Sequence, residues 1–179
     1  MNNSPAFLLL KKTAMKKLLI ALLIIPAIAF IHFADVVSVK DFKPAFGKWK
    51  GSITYLDYSS GKPYTMAANV SVSKDKVNDH RIILAWEYPD EPKANGNDTL
   101  VISNDGTQID GATVVGKEKT IDGNLQIITE KPGIDGNDNR KAVIEHIYTI
   151  GKNLFISRKE VRFDGDDKFI MRNEYKMNR

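Results

Sequence analysis

His146 is the side chain in this sequence with the clearest chemical potential. Ala142, Ile144, His146, Tyr148 and Ile150 share one face of a segment with a period of two, and that face is otherwise apolar. The opposite face, Val143, Glu145, Ile147 and Thr149, is mixed and reads as outward. A neutral imidazole both ligates metals and anchors hydrogen bonds, so an inward His146 would ligate a haem iron or hold the polar end of a ligand. The plain alternative is a core histidine bonded to a neighbouring tyrosine or carbonyl, as buried polar groups normally are. The other two histidines, His32 and His80, lie on no such face. Neither His-Glu-x-x-His nor His-x-x-Glu-His occurs, so no zinc hydrolase signature is present.

Other groupings dissolve on inspection. Asp57, Ser59, Ser60 and His146 have the types of a hydrolytic triad, but Gly-x-Ser-x-Gly is absent and Ser59-Ser60-Gly61 is turn chemistry. Gly111 to Lys117 satisfies Gly-x₄-Gly-Lys, yet Glu118 stands where a phosphate loop needs Ser or Thr, and the stretch is β-rich. Asp135 to Asn139 begins like a calcium loop, but Arg140 replaces its glycine and His146 its bidentate glutamate. No metal site and no catalytic set is expected. With no cysteine, disulfides, thiolate metal sites and a cysteine nucleophile are excluded.

The formal charge of +4 does not point to nucleic acid. Residues 1–34 carry Lys11, Lys12, Lys16 and Lys17 and no acid; the remaining 22 basic residues match the 22 acidic ones. A neutral folded part offers no footprint for a phosphate backbone. Those first 34 residues read as a signal peptide. Lys16-Lys17 precedes the apolar run Leu18 to Ile25, and Ala27-Ile28-Ala29 supplies a small-residue cleavage site, with Met15 the natural start. Pro26 interrupts the run, which is shorter than the roughly 20 residues of a spanning helix. The expectation is export to the periplasm or medium, with no membrane attachment after the leader is removed.

The elements that must position His146 are strands. Residues 35–46 form a connector; 47–179 form the folded domain. Trp49, Gly51, Ile53 and Tyr55 alternate with polar partners, as do Met66, Ala68, Val70 and Val72. Arg81 to Trp86 is a third strand, followed by a proline-broken loop to Asp98. Strands at 99–103 and 107–115 flank Asn104-Asp105-Gly106; another covers Leu125 to Thr129, before a second long loop from Pro132 to Asn139. Three more occupy about 141–150, 154–163 and 168–177. Arg158, Glu160 and Arg162 share a face opposite Phe155, Ser157, Val161 and Phe163 and read as a solvated surface. No 3.6 period follows residue 46. The pattern predicts an all-β, antiparallel up-and-down β-barrel of about eight to ten strands.

Phe46-Gly47-Lys48-Trp49 resembles the Gly-x-Trp that opens the first strand in the lipocalin and wider calycin group. The resemblance implies that Gly47 and Trp49 mark the closed end of the barrel, with Arg172 of the last strand stacked on the indole. The run from Trp49 to Lys62, with the ending Arg172-Asn173-Glu174-Tyr175, is also similar to small secreted bacterial proteins of unassigned role. A barrel of this size either fills with side chains or holds one small ligand. The leading expectation is a lipocalin-like module for a small apolar or amphipathic ligand, lined by Tyr55, Trp86, His146, Tyr148 and Tyr175, with Ile53, Met66 and Leu84 nearby. The alternatives are a hydrolase or isomerase inside the barrel, and a filled barrel acting through its surface in the cell envelope. No cofactor is expected beyond the haem option at His146.

Overall fold

The structure is a computed structural model that describes residues 35–57 and 60–179. The leader of residues 1–34 lies outside them, as do Tyr58 and Ser59. Ten antiparallel strands form one sheet: β1 (Gly47–Asp57), β2 (Lys62–Lys74), β3 (Arg81–Glu87), β4 (Gly96–Val101), β5 (Gln108–Ile109), β6 (Ala112–Lys119), β7 (Leu125–Asp135), β8 (Arg140–Ile150), β9 (Leu154–Phe163) and β10 (Ile170–Asn178). The spatial order β4-β3-β2-β1-β10-β9-β8-β7-β6-β5 pairs strands that follow each other in the chain, except β4 with β5, and pairs β1 with β10. An isolated bridge, Ile102 to Ile109, joins the two ends of the sheet and nearly closes an up-and-down barrel.

Several segments differ from the sequence reading; β4, for one, begins at Gly96, inside the stretch read as a loop to Asp98. The span 107–115 is not one strand. Asp110 and Gly111, at φ of 51° and 72°, make a tight turn between β5 and β6, the conformation Asp-Gly favours in a two-residue hairpin. The second long loop shrinks to residues 136–139, because β7 continues through Pro132 to Asp135. Pro132 is tolerated because it stands on a free edge: β6 pairs β7 only from Leu125 to Glu130, and proline belongs on edges, where no ladder N–H is needed.

Together these features open the wall. The β5–β6 turn stops partway up the barrel, so among the described residues β4 from Gly96 to Leu100 and β7 from Lys131 to Asp135 have no strand partner on their facing sides. The gap is a lateral window with Asp110 at its base, where the Lys131 ammonium bonds the Asp110 carbonyl at 3.3 Å.

The end of the barrel below this window is packed solid. The 35–46 connector is not a mere tether: Val39–Ala45 is a 3₁₀ helix that plugs this end with the fully buried Phe42 and Ala45. Ser38 N–H donates to the Asp41 carboxylate at its start, 2.7 Å away. Phe42 meets Tyr148 edge-on at 5.7 Å, and Trp49 packs against Phe155. Ile82, Ile127, Ile150 and Met177, all with 2% exposure or less, complete the core. Burying side chains of this size contributes roughly 1.5–3 kcal/mol each, which fixes this end.

Gly47 and Trp49 do open β1 at the closed end. The Trp49 indole N–H donates to the Ala45 carbonyl at 2.6 Å, and Gly47 adopts φ 117°, which a side chain would resist. The cation over the indole, however, is Arg179, 4.0 Å from the ring, and not Arg172. The reason is register. β1 and β10 pair Lys50 with Asn178 and Tyr55 with Asn173, so Arg172 lies near the far, open end.

Candidate functional site

Above the packed core lies a cavity of about 280 Å³. Alternation along β3, β8, β9 and β10 points Trp86, His146, Tyr148, Ser157, Lys159 and Tyr175 into it. The edge of β4 and the β5–β6 turn add Asp98 and Asp110, so the cavity reaches the window. Trp86 stacks on Tyr175 with centroids 4.0 Å apart and planes at 29°. The Tyr175 and Tyr88 hydroxyls share a hydrogen bond of 2.8 Å. The His146 ring lies parallel to that of Tyr148, 6.4 Å away.

The sequence thus places four of its five lining residues together. Tyr55 is the exception: it borders a separate outer pocket of about 530 Å³ with Asp57, Asn137 and Arg172, and leans against Tyr64 at 5.5 Å. Ile53 and Met66 pair across β1 and β2 but do not line the cavity. Lys159 and Asn173 border both spaces.

An ion cluster stands between them. The Asp135 carboxylate accepts from Lys159 Nζ at 2.6 Å and from Arg172 Nε and Nη2 at 2.8 and 2.6 Å. A β-bulge makes this possible. β10 slips register between Met171 and Asn173, which turns Arg172 inward to 7% exposure and Met171 outward. Burial would raise the Asp135 carboxyl, but its bonds to Lys159, Arg172 and the Gly136 N–H hold it at about 2. That assigns Asp135 to a structural ion cluster. Among the described residues no group of His, Asp and Glu is arranged to hold a metal.

Burial, with the charges of Lys131 and Lys159, pushes His146 down to about 4, so its imidazole is neutral at pH 7. Burial also raises the Tyr148 and Tyr175 hydroxyls, and it raises Asp110 although Lys131 and the Val101 N–H oppose the shift. Among the described residues no hydrogen bond reaches the His146 ring, the Tyr148 hydroxyl, the Ser157 hydroxyl or the Asn173 side-chain amide. A core histidine with a satisfied ring is therefore not what the fold contains. The polar atoms of these groups are left open to the cavity, where water or a ligand can bond them.

The same geometry bears on catalysis. Ser60 donates to Asp57 at 2.7 Å beside the β1–β2 turn, and no hydrogen bond links either to His146. Arg158, Glu160 and Arg162 stay on the outer face as their alternation predicts, with Arg158 Nε bonded to Glu174 at 2.7 Å.

Asp98, Asp110 and Lys159 were not singled out by sequence. Lys159 has a legible signal, since it keeps the inward period of Ser157 and Val161. Asp110 carried one too, in the Asp-Gly turn signature. Comparison with known proteins leaves the site to be read on its own geometry: no family model matches the chain, and no curated protein does.

Proposed function

We propose that this chain is a binding module that takes one small amphipathic ligand into the cavity at the open half of the barrel. The observation that carries the reading is the contrast between the two halves. One is packed solid around Trp49 and Phe42, while the other keeps unpartnered polar groups facing a half-open cavity. The volume matches about nine waters at roughly 30 Å³ each, near the low end of ordinary ligand pockets. The ligand's flat apolar part lies against Trp86 and Tyr175, and its polar end meets His146 and the Tyr148 hydroxyl. The leader pattern supports a site of action outside the cytoplasm, in the periplasm or medium; mass spectrometry of the mature protein would then find its first residue between 30 and 35.

Tryptophan fluorescence tests the reading, because Trp86 faces the cavity and Trp49, the other indole, is buried in the closed end. Small aromatic amphiphiles should change the emission of the native protein and leave Trp86→Phe unchanged. Equal responses from the two proteins would place binding elsewhere and overturn the proposal. A Soret shift with haem that is lost in His146→Ala would reassign the site to a haem protein. Tight binding of long-chain fatty acids or retinoids, independent of His146, would reassign it to a plain apolar pocket.

A further inference from the structure

The neutral sum of the barrel hides an uneven spread of charge. Its closed end is made by the connector, the last residues of β10 and the turns β2–β3, β4–β5, β6–β7 and β8–β9. These segments, 35–50, 74–81, 103–107, 117–124, 150–153 and 176–179, carry 12 lysines and arginines against 7 aspartates and glutamates. The rest of the chain beyond residue 34 carries 10 against 15. Several of the acids at the closed end are already engaged: Asp41 pairs with Lys117 at 2.8 Å, Asp79 with Lys74 at 2.6 Å, and Asp105 accepts from the Ser103 and Thr107 hydroxyls. Lys43, Lys76, Lys119 and Lys152 are exposed and form no ion pair among the described residues. Three of them, Lys43, Lys119 and Lys152, border one hollow of about 570 Å³ together with Arg179, and Asp122 is the one acid among its described lining residues.

Two apolar side chains stand uncovered beside these lysines. Val77 follows Lys76 in the β2–β3 turn, and Ile121 lies between Lys119 and Asp122 at the rim of the hollow; both are fully exposed. One exposed valine or isoleucine is ordinary, but two on turns of the same basic end form a pattern. A nucleic acid or a soluble polyanion would take the lysines and leave both apolar tips in water. A bilayer takes both, with the tips below the headgroups and the ammonium groups among the phosphates. From the excess of free cations, the basic hollow and the two apolar tips, we infer that the closed end is a docking surface for a membrane rich in anionic phospholipid. A headgroup phosphate sits in the hollow between Lys119 and Lys152, and Val77 and Ile121 enter the interface. This replaces the expectation of no membrane attachment once the leader is removed. The cavity half of the barrel then stands away from the bilayer, and docking is independent of what the cavity holds.

Co-sedimentation with vesicles tests the inference on the processed protein recovered after export. At low salt it should bind vesicles of mixed phosphatidylcholine and phosphatidylglycerol and not those of phosphatidylcholine alone, and raised salt should release it. Lys119→Gln/Lys152→Gln should weaken binding roughly tenfold or more, since each lysine near an anionic surface contributes about fivefold. Val77→Ser/Ile121→Ser should also weaken it, by roughly tenfold, through lost apolar burial. All four positions are exposed, and the thermal midpoint reports whether each variant folds; if the lysine pair unfolds, the apolar pair carries the test alone. Equal binding to both kinds of vesicle, or binding to neither, overturns the inference. Binding that survives both pairs of substitutions, as a retained leader would give, overturns it too. Binding that needs the lysines but not the apolar pair, and that inorganic phosphate abolishes, assigns the hollow to a soluble anion instead of a bilayer.

Discussion

His146 shows how a fold sets the chemistry of one residue. Free imidazole titrates near 6.5, and burial beside Lys131 and Lys159 brings the folded value to about 4. As pH falls, the unfolded chain takes up this proton first, so stability present above 6.5 is lost between 6.5 and 4. The loss should amount to about 2–3 kcal/mol, allowing for a ring that is only partly enclosed. Asp135 acts in a lower window: its folded value of about 2 means that the stability it contributes is lost as pH falls from about 4 toward 2. Urea unfolding at pH 7 and pH 4.5 separates the two. His146→Gln should flatten the decline between those values, and a variant as pH-sensitive as the native protein would show that the ring is not held neutral. His146 was legible in the sequence because one imidazole broke an apolar face of period two. Asp98 was not, because a single acid at the end of a proline-broken loop carries no periodicity.

Among the elements, the closed end and the open wall follow different rules. The closed end depends on Gly47, Trp49 and the terminal Arg179. The Arg179 guanidinium stands over the indole and also donates to the Phe46 carbonyl. Trp49→Ala should cost roughly 3–5 kcal/mol, and the exposed Arg179→Ala about 0.5–1 kcal/mol. The double variant should fall short of the sum, since residues in contact couple. Strict additivity, measured by denaturant unfolding, would mean that the stack contributes nothing. Arg172→Ala combined with Trp49→Ala should add, because Arg172 belongs to the Asp135 cluster at the other end. The resemblance to Gly-x-Trp barrels pointed to the right indole and the wrong arginine. Spacing along one strand does not reveal the register between two, and the β10 bulge at Arg172 leaves no trace in composition. The strands themselves were legible wherever one face is buried. Where β7 runs free of β6, Pro132 and Gly133 look like loop residues, and only the unpaired edge explains why they are strand.

At the scale of the whole molecule, ten strands joined mostly by local turns give a nearly closed antiparallel barrel, and its cavity reaches the gap left among the described residues between β4 and β7. The chain beyond residue 34 is neutral in sum, and the outer face of the barrel carries mixed charges such as Arg158, Glu160 and Glu174. What the barrel does then depends on whether its open half takes a ligand. The two indole N–H signals in a ¹⁵N–¹H correlation spectrum answer this directly, one from each half. Titration with a small aromatic amphiphile such as 2-phenylethanol should move the Trp86 signal and the amides around His146, Tyr148 and Tyr175, and leave the Trp49 signal in place. A spectrum in which neither indole nor any of these amides moves, or in which Trp49 moves with Trp86 as the whole fold shifts, would contradict the assignment of the cavity as a ligand site.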